Sequence, residues 1–385
     1  PDGCFISSNN SSCKITITAH PYAQPGVYDN QLKITNKGSV AFTPTNINFE
    51  IIKSWQIVGN TGISAGMVRE PILKIYNNIP YVAYIDIANE SRVTVMKFEN
   101  NVWQPVGNPG FSAPAVKSAS LNFAIDSNGI PYIAFAQEKD NRLTIMKFIN
   151  DTWQSLNPIS QGSIYSLSLA LDSDNNPYVA YRDPTTSRAT VVKYVAESWQ
   201  VIGEANFSKE LTIGLRLALD HNNVPYVIFE QYTGESRIYD GIAMSLSSNS
   251  WQQLGIIPSL LTNSPYIAIN SSGLPYIAYS TDHNINIIRY SPDLKQWNSV
   301  SNAGLGSGGS LGMVFDTNNF PYIVFTNNST ASSVMKLNGN SWEYLGVKGA
   351  LKGNSPTLAI DSSNTPYVAY MDYANAKKAT VMTYR

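Results

Sequence analysis

The chain has 385 residues, with 26 Lys and Arg against 27 Asp and Glu, a formal net charge of −1, and only 14% charged residues. Such a balanced, sparsely charged chain has no basic excess with which to neutralise phosphates, which argues against a nucleic-acid partner. No apolar run reaches the roughly eighteen residues that a membrane-spanning helix needs, and no Walker, Rossmann or Gly-x-Ser-x-Gly pattern appears, so no cofactor is expected.

The first 52 residues stand apart from the rest. They begin at Pro1 rather than Met, as a mature secreted chain or a trimmed one would. Cys4 and Cys13 are the only cysteines. With only His20 nearby they are too few ligands for a metal; a local disulfide, formed in an oxidising compartment, is the expected use. Strands are predicted over Lys14–His20, Tyr28–Asn36 and Ile47–Ile52. The run Ser12-Cys13-Lys14-Ile15-Thr16-Ile17-Thr18, then Pro25-Gly26-Val27-Tyr28, then Leu32-Lys33-Ile34-Thr35-Asn36 resembles the C-terminal half of bacterial immunoglobulin-like surface modules. That resemblance implies a partial β-sandwich, one face of which needs a cover.

From residue 53 to 385 the chain repeats. All seven tryptophans, Trp55, Trp103, Trp153, Trp199, Trp251, Trp297 and Trp342, fall at spacings of 48, 50, 46, 52, 46 and 45. Each is followed 24 to 28 residues later by a Pro-Tyr pair: Pro80-Tyr81, Pro131-Tyr132, Pro177-Tyr178, Pro225-Tyr226, Pro275-Tyr276, Pro321-Tyr322 and Pro366-Tyr367. Repeats of this length mark arrays or propellers. Within each repeat a short apolar strand such as Leu121–Ile125 ends in a turn such as Asp126-Ser127-Asn128-Gly129, whose Asn and Gly accept positive φ. The second strand opens on Pro, which a strand tolerates at its first residue. It then runs wholly apolar (Tyr178-Val179-Ala180-Tyr181), as burial on both faces requires. The third alternates (Val93–Phe98), and the fourth starts at the tryptophan.

Four short antiparallel strands repeated seven times specify an all-β fold: a seven-bladed β-propeller of four-stranded blades. Neighbouring blades cover each other's apolar faces, with the tryptophan between them. The repeat region opens on a fourth strand, Trp55–Val58, and closes on a third, Ala379–Tyr384. Pairing these two would complete the seventh blade and abolish the free edges. The Asp-x-x-Gly-x-Pro-Tyr-Val-Ala-Tyr pattern resembles repeats of bacterial secreted β-propellers, which implies a secreted or cell-surface location. It departs from kelch repeats, WD repeats and the sialidase box, so it implies a fold rather than an activity.

Candidate chemistry is sparse. The turn acids Asp126, Asp172, Asp220, Asp316 and Asp361, with Asn270 in the equivalent place, suit turn-capping better than calcium, which wants more oxygens. Met96, Met146, Met244, Met335 and Met382 share one repeat position and read as core; no metal site is expected. The loops between second and third strands carry Asp86, Gln137, Asp183, Gln231, Thr281, Asn327 and Asp372. Arg92, Arg142, Arg188 and Lys378 stand four residues before the methionine position, and Arg237 falls similarly. The two columns vary together, so each Asp is expected to pair with its own blade's cation. The candidate ligand-binding set on this face is Asp86, Arg92, Asp183, Arg188, Tyr232, His283, Asp372 and Tyr373. With every tryptophan committed to the repeat, few aromatic platforms for sugar remain, so a protein ligand is expected ahead of a glycan. The expected function is a non-catalytic extracellular binding scaffold. One alternative is a glycoside hydrolase or lyase in which Asp86, Asp183 and Asp372 converge near the axis; another is an architectural part of a larger surface protein.

Overall fold

The computed structural model describes residues 26–28, 49–51, 53–139, 142–159, 166–234, 239–257, 265–281, 284–300, 308–328 and 330–385. Two compact units are distinguished: Trp55–Tyr384, and Pro1–Ser54 with Arg385. In the smaller unit the described residues are a single antiparallel ladder, Gly26–Tyr28 against Phe49–Ile51. The Cys4–Cys13 bridge, the immunoglobulin-like strand pattern and His283 lie outside the described residues.

The larger unit is the seven-bladed propeller. The propeller has seven four-stranded antiparallel sheets, and in six of them the strands run in chain order from the channel outward as a meander. Blade one is Val68–Tyr76, Ile79–Asp86, Arg92–Glu99 and Val102–Pro105. The second strands are the most deeply buried, as their unbroken apolar runs demand: all six residues of Pro131–Ala136 are buried. Blade seven is completed from the other end of the repeat region. Trp55, Gln56 and Ile57 pair with Tyr384, Thr383 and Met382, which is the expected latch. The five repeat-position methionines pack on the cores between blades.

The tryptophans sit at the blade interfaces and tie each blade to the one before. The indole Nε1 of Trp103 donates to the Val58 carbonyl at 2.8 Å, that of Trp153 to Val106 at 2.9 Å, and that of Trp55 to Leu345 at 2.7 Å. Trp199 and Trp251 do the same with Asn157 and Ile202. The residue after the accepting carbonyl is usually a positive-φ glycine lying against the indole. At Gly107 (φ +73°) an added Cβ would come within 2.8 Å of Phe148 and 3.2 Å of Trp153, so a side chain fits neither the backbone nor the space. Trp297 and Trp342 have buried Nε1 atoms with no partner among the described residues. Before Trp297, the outer strand of blade four runs on through a bulge to Ile257, so the chain does not turn where other blades present their carbonyl.

On the face formed by the first hairpin turns, each turn Asp is spent on its own backbone. Asp126 Oδ1 accepts from Asn128 N at 2.9 Å and Ile130 N at 2.8 Å, and Asp172, Asp220, Asn270, Asp316 and Asp361 repeat the pattern. The last turn residue reaches back to the preceding blade. Asn78, Asn175, Asn223, Asn319 and Asn364 all have φ between 62 and 65°. Each accepts, through Oδ1, an amide of the preceding blade's turn at 2.9–3.0 Å. Asparagine tolerates this left-handed backbone and supplies the acceptor.

Candidate functional site

The opposite face carries the loops between second and third strands and the connections from blade to blade. The expected charge pairs do not form there. Arg92 lies across the ladder from Asp86, but its guanidinium bridges to Glu90 at 2.8 Å and donates to the Ser112 carbonyl. Asp183 accepts from the amides and hydroxyls of Thr185 and Thr186, while Arg188 is exposed. Asp372 accepts from Ala374 N, Asn375 Nδ2 and Thr380 Oγ1 rather than from Lys378. The reason is local. A carboxylate at the mouth of a tight loop meets amides and hydroxyls two to eight residues away sooner than it meets a long side chain directed to solvent.

These acids therefore differ in state. Burial pushes the Asp183 carboxyl up, but the Thr185 and Thr186 hydrogen bonds outweigh it and hold the group below the ordinary range. Asp86 is 3% exposed and has one oxygen without a partner among the described residues; burial raises it despite nearby amides of Ala88 and Asn89. Tyr232 lies against Tyr239 with the rings tilted by 56° and centroids 5.7 Å apart, and Tyr373 takes the Lys377 ammonium at 5.7 Å. Asp86, Asp183 and Asp372 sit at equivalent loop positions of blades one, three and seven. No hydrogen bond or ion pair joins any two of them among the described residues.

A different constellation lines the central channel, on the innermost strands. At one level of the ring each inner-strand residue lies opposite the third residue after the Pro that opens the second strand. Asn122, Ser168 and Thr357 occupy that level in blades two, three and seven. They latch the next blade's inner edge. Ser168 Oγ accepts from Leu217 N, Thr357 Oγ1 accepts from Leu73 N, and Asn122 binds both Leu167 O and Leu169 N. In blades four and five this level holds two large polar side chains side by side, Arg216 and Tyr266.

Arg216 is half-buried, yet among the described residues its guanidinium makes one hydrogen bond, to the Leu215 carbonyl at 3.1 Å. Most of its five donors are therefore unspent. Burial depresses its proton affinity, while Tyr266, Glu70 and Glu230 are close enough to raise it. Burial likewise raises the Tyr266 hydroxyl, with Arg216 opposing. Glu70 enters two residues nearer the loop face, at a bulge between Arg69 and Ile72, with φ +51°. Its carboxylate accepts from Ala119 N and, at 3.2 Å, from Leu121 N of blade two. Burial raises this carboxyl above its ordinary value despite those amides and Arg69. Glu230 is buried at the end of the second strand of blade four, and Arg182 of blade three reaches the Thr212 carbonyl at 3.4 Å. An arginine with open donors, a protonated tyrosine and a carboxylate of raised proton affinity together can neutralise an anion and move a proton beside it.

None of these channel residues belongs to the expected set. The signal that could have found them is a break in a column: two bulky polar residues where the other repeats place Ile72, Asn122, Ser168, Gly312 and Thr357.

No family model matches the sequence, and no curated protein does. Solved structures do match in fold. The chain is similar to the polysaccharide lyase Uly1, with TM-score 0.57 and 10% identity over 82% of this chain and 89% of that one. It is also similar to an ulvan lyase of family PL25 bound to -[GlcA(1-4)Rha3S]-, with TM-score 0.54 and 10% identity over 85% and 94%. A puromycin-hydrolyzing peptidase of Mycobacterium tuberculosis matches with TM-score 0.54 and 9% identity over 83% of this chain. The chain spans about half (52%) of that peptidase's length. At these identities the likeness establishes the propeller fold. It also corrects the expectation of a non-catalytic scaffold. That expectation leaned on the lack of any linear catalytic motif, and the propellers matched here include lyases and a peptidase.

Proposed function

We propose that the chain is a polysaccharide-cleaving propeller enzyme, a lyase or hydrolase acting on an anionic chain at the loop-face end of its central channel. The observation that carries this reading is Arg216: a half-buried guanidinium at the channel wall with one hydrogen bond spent, Tyr266 beside it in register, and Glu70 within electrostatic reach. Elimination at a uronate needs the proton next to the carboxylate to be made acidic. A guanidinium fork binding that carboxylate does this, because it stabilises the charge that develops as the proton leaves. Glu70, its proton affinity raised by burial, suits the role of base, and Tyr266, kept protonated, suits donation to the departing glycosidic oxygen. A hydrolase would pair Glu70 with a second carboxylate, and Glu230 is the candidate. The two polysaccharide lyases of like fold support the substrate class. A substrate of that size also fits a secreted or surface-held enzyme.

The test is a panel of uronate-bearing and neutral polysaccharides, read by ultraviolet absorbance of unsaturated ends and by reducing ends. Cleavage of a uronate-bearing chain is expected, with R216A reduced about 10²–10³-fold, the usual cost of removing one charge-stabilising group. Full activity in R216A, or no cleavage of any member, would remove the proposal.

A further inference from the structure

A second level of the channel holds a group that the proposed reaction does not use. In each blade one inner-strand residue pairs with the tyrosine of the Pro-Tyr. In six blades that residue is Ala124, Ala170, Ala218, Ala268, Val314 or Ala359, and in blade one it is Lys74. One lysine therefore stands in a ring of small apolar side chains. Lys74 is exposed although it lies on the innermost strand, and burial by the surrounding protein lowers its proton affinity. A side chain open to water yet hemmed in by protein stands in the channel lumen.

Its charge is uncompensated among the described residues. Lys97, Lys193 and Lys336 each bridge to a carboxylate at 2.7–3.1 Å; among the described residues the Lys74 side chain has neither an ion pair nor a hydrogen bond. A confined ammonium without a counter-charge either sheds its proton or recruits an anion. The six residues at the same height in the other blades are apolar, so none of them offers Lys74 a counter-charge.

We propose that Lys74 holds a small anion of the sulfate, phosphate or carboxylate class in the channel. This does not rest on the reading of Arg216. Lys74 lies two strand positions nearer the turn face than the Arg216 level, and neither group is among the charges that shift the other. Two sources supply the chemistry: a free inorganic anion, and an acidic or sulfated substituent of a saccharide chain in the channel.

The experiment titrates wild type, K74M, K74A, R216A and the K74A/R216A double variant by calorimetry at constant ionic strength. One arm uses sodium sulfate and the other a sulfated, uronate-bearing oligosaccharide; crystals soaked in selenate locate the ion by anomalous scattering. K74A installs the residue that most other blades carry at this level, so it keeps the test open if K74M misfolds. The expected result is binding weakened about tenfold or more by both Lys74 substitutions in at least one arm, the loss of one charge-assisted contact. Loss in the sulfate arm, with a selenate peak at Lys74 Nζ, identifies a free ion; loss in the oligosaccharide arm alone identifies the chain. Equal binding by wild type and both variants, or no binding in either arm, overturns the proposal. K74A is expected to weaken binding by the same factor in the R216A background as in wild type, so failure of the cleavage reading and failure of this one are read separately.

Discussion

Trp55 offers a direct test of how the ring closes. It comes from the N-terminal edge of the propeller yet completes the last blade. Its indole donates to Leu345 O at 2.7 Å and lies 5.3 Å, centroid to centroid, from the Tyr384 ring. Trp103 does the same work in the interior of the array, with Val58 O at 2.8 Å and Phe98 at 5.3 Å. If the latch is a full structural interface, W55A and W103A remove equivalent packing, and each costs about 3–5 kcal/mol. Unfolding entropy of about 2.1 cal/mol/K per residue, over roughly 330 residues of propeller, turns that loss into a fall in Tm of about 4–7 °C. Urea melts followed by tryptophan fluorescence and scanning calorimetry supply the two numbers independently. Equal penalties for the two variants are expected. A W55A cost within about 0.5 kcal/mol of zero, the level of an ordinary surface change, beside a full cost for W103A would mean that the terminal strand is only draped on blade seven, and would refute the closure argument.

Other outcomes follow from the same interfaces. N319A should lose the amide acceptor and strain a backbone at φ +64°, costing about 1–2 kcal/mol, whereas N319G keeps the backbone and should cost less; equal losses in urea melts would deny the backbone a part. G107A should destabilise markedly, since its Cβ meets Phe148 at 2.8 Å, and a melt unchanged from wild type would contradict that packing. Burial pushes the Asp172 carboxyl up, but Lys193 and Asn176 more than offset it, so the native value lies below 3.8. The stability it supplies is complete above that ordinary value and is lost as pH falls through the depressed one. The gap between wild type and D172N should therefore hold from neutrality to about pH 4 and close only in stronger acid; closure near pH 6 would be the wrong sign of shift. In the cleavage assay the acidic limb of wild-type activity should lie above the ordinary carboxylate range, because burial raises Glu70, and E70Q should abolish turnover; an unchanged E70Q profile would exclude Glu70 as the base.

The loop acids show how far columns of residues carry an inference. Asp86, Asp183 and Asp372 vary together with Arg92, Arg188 and Lys378, and covariation inside one chain reads naturally as contact. The structure instead gives Asp183 and Asp372 to nearby amides and hydroxyls, and leaves one Asp86 oxygen without a partner among the described residues. Both columns respond to the same loop geometry without touching through their side chains. The channel residues failed in the opposite way. Arg216 and Tyr266 sit in strands whose apolar pattern hides them, and only the register of neighbouring blades reveals that they share a level.

Number, order and closure of the blades were legible in the chain because they depend on local pattern: a tryptophan, a turn and a Pro-Tyr at fixed phase, repeated until the apolar faces are all covered. Which side chains meet across the channel was not legible. Arg216, Tyr266 and the pair Glu70 and Lys74 come from blades four, five and one, separated in sequence by about fifty to nearly two hundred residues. Only closing the ring sets them around one lumen, where withdrawal from bulk water changes their proton affinities and gives them a chemistry that none has alone.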